Sequence, residues 1–166
     1  HGWNYKNTNR VTASITRRKF MAITSAICNS FKVEILTATH NFTASSGNTF
    51  NLALYTSSAT LNKSTTAYAS TNEISNTSGS AYSAKGKALT SVTPVLSTDT
   101  AVCDFANVSW TSASFTANGC LIFNDSASSD QACCTIAFGG DKTVTSGTFT
   151  IEFPAASAGS AIIGIA

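Results

Sequence analysis

Short apolar runs that alternate with polar residues recur along this chain, punctuated by glycine, asparagine and proline. Phe50, Leu52 and Leu54 alternate, and so do Phe149, Ile151 and Phe153, after which Pro154 ends the run. A period of two turns one side of an extended segment toward a core and the other toward water. Further runs cover residues 87–96, 101–110, 115–124, 132–138 and 161–165. Val102, Phe105 and Val108 are candidate core positions, and Pro94 places its strand at an edge or a bulge. Gly139, Gly140, Asp141 and Lys142 read as a turn. Many short strands joined this way predict a mainly β fold, an antiparallel β-sandwich or jelly-roll-like domain.

One segment carries the other period. Ile23, Ile27, Phe31 and Ile35 recur every fourth residue, with Leu36 beside them. That stripe predicts one amphipathic helix over residues 24–38. Thr24 or Ser25 suits its cap, and His40 suits its end, where positive charge favours the helix dipole. Residues 56–86, rich in Ser, Thr, Asn and Gly, read as a long connection with one short strand.

The 166 residues suit a single domain, over residues 21–166, large enough to need no metal or disulfide. Only 11% of them are charged, against about 25% in a typical domain. Such a surface limits self-repulsion and lets like subunits pack side by side. The net charge of +2 provides no broad field for nucleic acid or anionic lipid. No apolar run approaches the ~20 residues of a membrane span. Five cysteines leave at least one thiol unpaired within a monomer. Cys103 and Cys120, on separate predicted strands, are the pair that could form a disulfide; buried free thiols are the simpler expectation for most of the five. Cys133 and Cys134 are adjacent, so on a regular strand they point to opposite faces.

Residues 1–20 stand apart as an extended arm. They hold five of the ten Lys and Arg, together with Trp3 and Tyr5. Within them Val11, Ala13 and Ile15 alternate with Thr12, Ser14 and Thr16. This stretch has a strand's pattern but no core of its own, so it must dock on something to become ordered. The chain begins at His1, which fits a processed precursor, whereas Met21 has the look of an ordinary start residue.

Longer phrases carry a resemblance. They are the stretch from Met21 to Leu36, the Thr37-Ala38-Thr39-His40-Asn41-Phe42 run, and the segment from Phe50 to Leu61. Thr65-Thr66-Ala67-Tyr68, Phe138-Gly139-Gly140-Asp141-Lys142 and the run from Gly147 to Pro154 complete them. In this order the chain resembles a family of small uncharacterised β-rich proteins of tailed phages and environmental sequences. It is also similar to protomers of environmental helical fibrils. The resemblance implies a virion or filament component at a virion surface or outside the cell, with capsid or tail proteins as partners in the phage case. It brings no catalytic residues and no cofactor.

Chemistry-bearing motifs are absent from the sequence. The two histidines, His1 and His40, have no metal-ligand spacing, and neither a nucleophile elbow nor a phosphate-binding glycine loop occurs. The oxygens of Asn124, Asp125, Ser126 and Asp130 lack the order of a calcium loop and read as a solvated hairpin. Tyr55, Tyr68, Tyr82 and Trp110 suit either core packing or a sugar-binding face. The expectation is a non-enzymatic protomer without cofactors that joins copies of itself head to tail. Its candidate contacts are Trp3, Tyr5, Val11, Ala13 and Ile15 on the arm, and Ile27 and Phe31 on the body. The alternatives are a virion decoration, head-fibre or tail protein and a carbohydrate-binding module.

Overall fold

Two antiparallel sheets face each other across an aromatic core in a computed structural model that describes residues 22–75 and 79–166. The arm lies outside the described residues, and with it Trp3, Tyr5, Val11, Ala13 and Ile15. The elements in chain order are β1 (Ala26–Ile27), α1 (Asn29–Leu36), β2 (Phe50–Tyr55), β3 (Lys87–Ala88), β4 (Ser91–Ser97), β5 (Thr100–Phe105), β6 (Val108–Asn124), β7 (Gln131–Ile151) and β8 (Ile163–Ile165). One sheet has the order β1-β7-β6-β2-β3 and the other β4-β5-β8. The fold is mainly β with one short helix, in the sandwich-like form that the alternating runs imply.

The strand period explains which side chains meet. Phe50 of β2 turns toward the second sheet, stacking on Phe42 at 4.2 Å between ring centres and lying 5.9 Å from Phe105 of β5. Asn51, Ala53 and Tyr55 turn the other way. There the 56–86 connection covers them, with Tyr55 Oη donating to Ala69 O and Tyr68 stacked on Phe123. Both faces of the central strands are thus buried, which is why residues 120–124 of β6 show no alternation in exposure. Within the 56–86 connection the only ladder contacts among the described residues are isolated bridges, Tyr55 to Glu73 and Ala67 to Gln131 among them. The short strand expected there does not form among the described residues.

Two expected boundaries shift for identifiable reasons. The helix starts at Asn29, not Thr24, because Ala26 and Ile27 pair with Thr135 and Cys134. Cys28 takes the cap position with extended backbone and no side-chain cap bond. Eight residues of helix are marginal alone, and Phe31 is the one helix residue buried. Ile27 therefore reaches its site on a strand. The expected turn at 139–142 is instead part of one continuous strand. Gly139 and Gly140, with φ of 72° and 142°, sit in a bulge where Lys142 pairs with Ala117 and Ala137 with Gly119. Backbone at those angles is open to glycine at no steric cost. Pro94 falls in the register shift between Val92 and Val95 of β4, an edge strand, as its missing N–H requires.

Candidate assembly surface

The six large apolar side chains left exposed among the described residues lie on α1, β4 and β8; β6 and β7 have none. Leu36 is 87% exposed, Leu96 73% and Ile165 52%. Register places two of this group in one row with Ala101 between them: Leu96 is opposite Ala101, and Ala101 is opposite Ile165. The neighbouring pair Cys103 and Ile163 is buried. By the period of two, the exposed row continues the core-facing side of the small sheet past the point where the large sheet covers it. Covering one such Leu or Ile completely is worth about 1.5–3 kcal/mol.

Beside this row lies a groove of about 580 Å³, and its apolar lining includes Ile27, Phe31, Ile35, Leu36, Ile163 and Ile165. Lys32 and Lys63 line it as well and are exposed. β1 and β8 are each the last strand of their sheet, so the groove runs between two sheet borders. A stretch of connection flanks β1, where Thr24 N–H donates to Leu61 O at 2.9 Å and Asn29 N–H to Lys63 O at 2.8 Å. Ile27 and Phe31, both named from the sequence, come together here. Ile27 is half-buried on the wall, and Phe31, 2% exposed, forms the floor against His40 and Phe42.

His40 does not sit at a solvated helix end. Ala38, at φ 59°, turns the chain back after α1, and the imidazole points inward. Its Nε2–H donates to Glu34 Oε2 at 2.9 Å, and its Nδ1 accepts from Asn124 Nδ2 at 3.1 Å. The amide orientation follows from Asn124 Oδ1, which accepts from Ser126 N–H. Cys133 Sγ lies 4.0 Å from Nδ1. This resembles a thiol–imidazole–carboxylate relay, with its thiol and imidazole buried in the core. Burial pushes the Cys133 thiol well up, away from the thiolate that a nucleophile requires.

All five cysteines are free and buried. Cys103 and Cys120, named as a disulfide pair, are free thiols on strands of different sheets. Burial pushes Cys103 up to about 12; burial, then Glu34, pushes Cys28 up to about 11. Cys133 and Cys134 are both core residues despite their adjacency. β7 shifts register between its pairings with Ile122 and Phe123, and both thiols feel Cys28 and Cys103. Among the described residues no group of three or more His, Cys, Asp or Glu is placed to hold a metal ion.

Elsewhere, polar chemistry fastens the 56–86 connection to the sheet. Glu73 accepts from Tyr68 Oη at 2.5 Å and from Tyr82 Oη at 2.7 Å. Lys85 Nζ donates to Asp125 Oδ1 at 2.8 Å and contacts Asp130 Oδ2 at 2.9 Å. The two carboxylates of the β6–β7 turn are thus bridged by one lysine from a distant loop, a contact that no local sequence signal announces. A second hollow of about 460 Å³ is bordered by Thr60, Asn62, Ser64, Thr65 and Asn72, with no ionisable group but the phenol of Tyr55. Tyr55, Tyr82 and Trp110 are buried, and Tyr68 lies between Phe123 and Lys85. Tyr55, Tyr82 and Trp110 offer no open ring face for a sugar. Asn124, one of five Asn-x-Ser/Thr positions, is buried as well.

No family model, no curated protein and no solved structure matches this chain. No helix among the described residues is long and apolar enough to cross a membrane. What the fold and its surface define is a class, a β-sandwich-like domain with one apolar border that the described residues leave uncovered.

Proposed function

We propose that the chain is a non-enzymatic structural protomer that joins copies of itself head to tail into a helical filament or tube, with the N-terminal arm docking on a neighbour. The observation that carries this reading is the gathering of every exposed large apolar side chain among the described residues on α1, β4 and β8. An uncovered apolar border of this kind marks an interaction surface. The low charge supports it, since like copies repel little on approach. A contact whose two halves differ, arm on one side and body on the other, propagates into a ring or an open helix. A virion surface or the outside of the cell is the setting proposed for such an assembly.

Negative-stain microscopy of the purified full chain tests the reading, with a chain lacking residues 1–20 beside it. Filaments from the first and none from the second support it. A monomeric full chain, or filaments from both, would count against it.

A further inference from the structure

We propose that the groove between β1, α1 and β8 is the acceptor half of the joint, and that residues 11–16 of a second copy fill it as a strand added beside β8. This rests on the filament reading above. β8 pairs with β5 on one side and, among the described residues, has no partner strand on the other. A strand laid there satisfies the N–H and C=O groups of that border and carries its side chains into the pockets below.

The chemistry of the segment matches the slot. Val11, Ala13 and Ile15 share one face and meet a lining of Ile27, Phe31, Ile35, Leu36, Ile163 and Ile165. Thr12, Ser14 and Thr16 share the opposite face and turn to water, and residues 11–16 hold no charge. Four of the six, Val11, Thr12, Ile15 and Thr16, are β-branched and suit an extended backbone. The hollow, of about 580 Å³, lies within the size range of ligand pockets.

The link between the segment and the body is long enough to reach a neighbour. Five residues separate Thr16 from Ala22. Extended, that link reaches about 20 Å, enough to cross between abutting copies.

Two full-length variants test the joint. Val11→Asp with Ile15→Asp spoils the donor and leaves the groove intact. Leu36→Asp with Ile165→Asp spoils the groove and leaves the donor intact; both positions are exposed, so folding tolerates the change. Light scattering after size exclusion should find each variant monomeric. Their equimolar mixture should form a one-to-one dimer that grows no further, because only one complete joint exists between them. A groove variant that still polymerises, or a mixture that stays monomeric while the wild type forms filaments, overturns the assignment of the groove and leaves the filament reading standing. A wild type that is itself monomeric removes the filament reading and this inference with it.

Discussion

The β6–β7 ribbon and the β1–α1–β8 border both end a sheet, yet they are finished differently. Along the ribbon the outer side of β7 beyond Thr135 is blunted. Gly139 and Gly140 bulge, Asp141 and Lys142 follow, and Asn118 Nδ2 donates to Asp141 Oδ1. Its polar positions pair across the strands, Thr116 with Thr143 and Ser109 with Thr150, each at 2.8 Å. Its aromatics lock together instead of facing water, with Phe115 5.1 Å from Phe149 and Trp110 6.2 Å from Phe149. At the other border Lys32 and Lys63 are the charges that line the groove, and Leu36, Leu96 and Ile165 stand open on or beside it. Sheet borders left uncovered invite strands from other chains, and bulges and charges are the usual guards against them. A chain that guards one border and leaves the other apolar directs its contacts to the second.

The contrast breaks or sharpens under substitution. Leu36→Asp with Ile165→Asp should weaken association by about 3 kcal/mol or more, over ~100-fold in the association constant. Thr143→Asp on the ribbon should leave it unchanged; sedimentation velocity of both variants decides. Stability should divide the other way. Trp110→Ala removes a ring that is 1% exposed and should cost about 3–5 kcal/mol in denaturant unfolding. Leu36→Ala should change it by less than about 0.5 kcal/mol. If the two substitutions cost alike, the division between a stabilising ribbon and an associating border fails.

Alkaline pH should act on the core that joins the two regions. Burial raises all five thiols, with Cys28 up to about 11 and Cys103 up to about 12, and burial together with Glu73 raises Tyr68 up to about 12. The folded state thus holds these protons more tightly than the unfolded chain, whose thiols titrate near ~8.5. Their contribution is complete below that value and is lost as pH rises through the folded values. Thermal midpoints measured from pH 7 to 11 should fall from about pH 9 upward; a flat profile would contradict the buried, reduced cluster. Salt should produce the smallest effect. Arg10 and Arg17 flank a segment assigned to a groove bordered by Lys32 and Lys63, so raising salt from ~20 to ~150 mM should modestly favour assembly by screening like charges. Turbidity or light scattering across that range provides the check.

The alternating runs at Phe50-Leu52-Leu54 and Phe149-Ile151-Phe153, and the edge placement of Pro94, were legible because strand period and missing N–H groups are local properties. The Gly139–Gly140 bulge was not, since the same pair serves a turn or a bulge and only the continued pairing of β6 with β7 distinguishes them. The helix start slipped because β7 recruits Ala26 and Ile27 as a strand, a tertiary demand that outweighs a four-residue period. Cys133 and Cys134 share the core through a register shift that no alternation rule contains. Of the candidate surface, Ile27 and Phe31 could be named from the stripe they belong to. Leu96, Ile163 and Ile165 could not be linked to them, because their meeting depends on how the two sheets face each other. His40 was read at a solvated helix end, and the left-handed turn at Ala38 took it inside.

The central claim is that the uncovered border exists to be covered by another copy. Electron microscopy of the purified full chain at about 1 mg/ml, with mass measured in parallel, addresses it most directly. The account predicts filaments or tubes whose subunit joint lies over α1 and β8. A uniform population of 17.2 kDa monomers would contradict it.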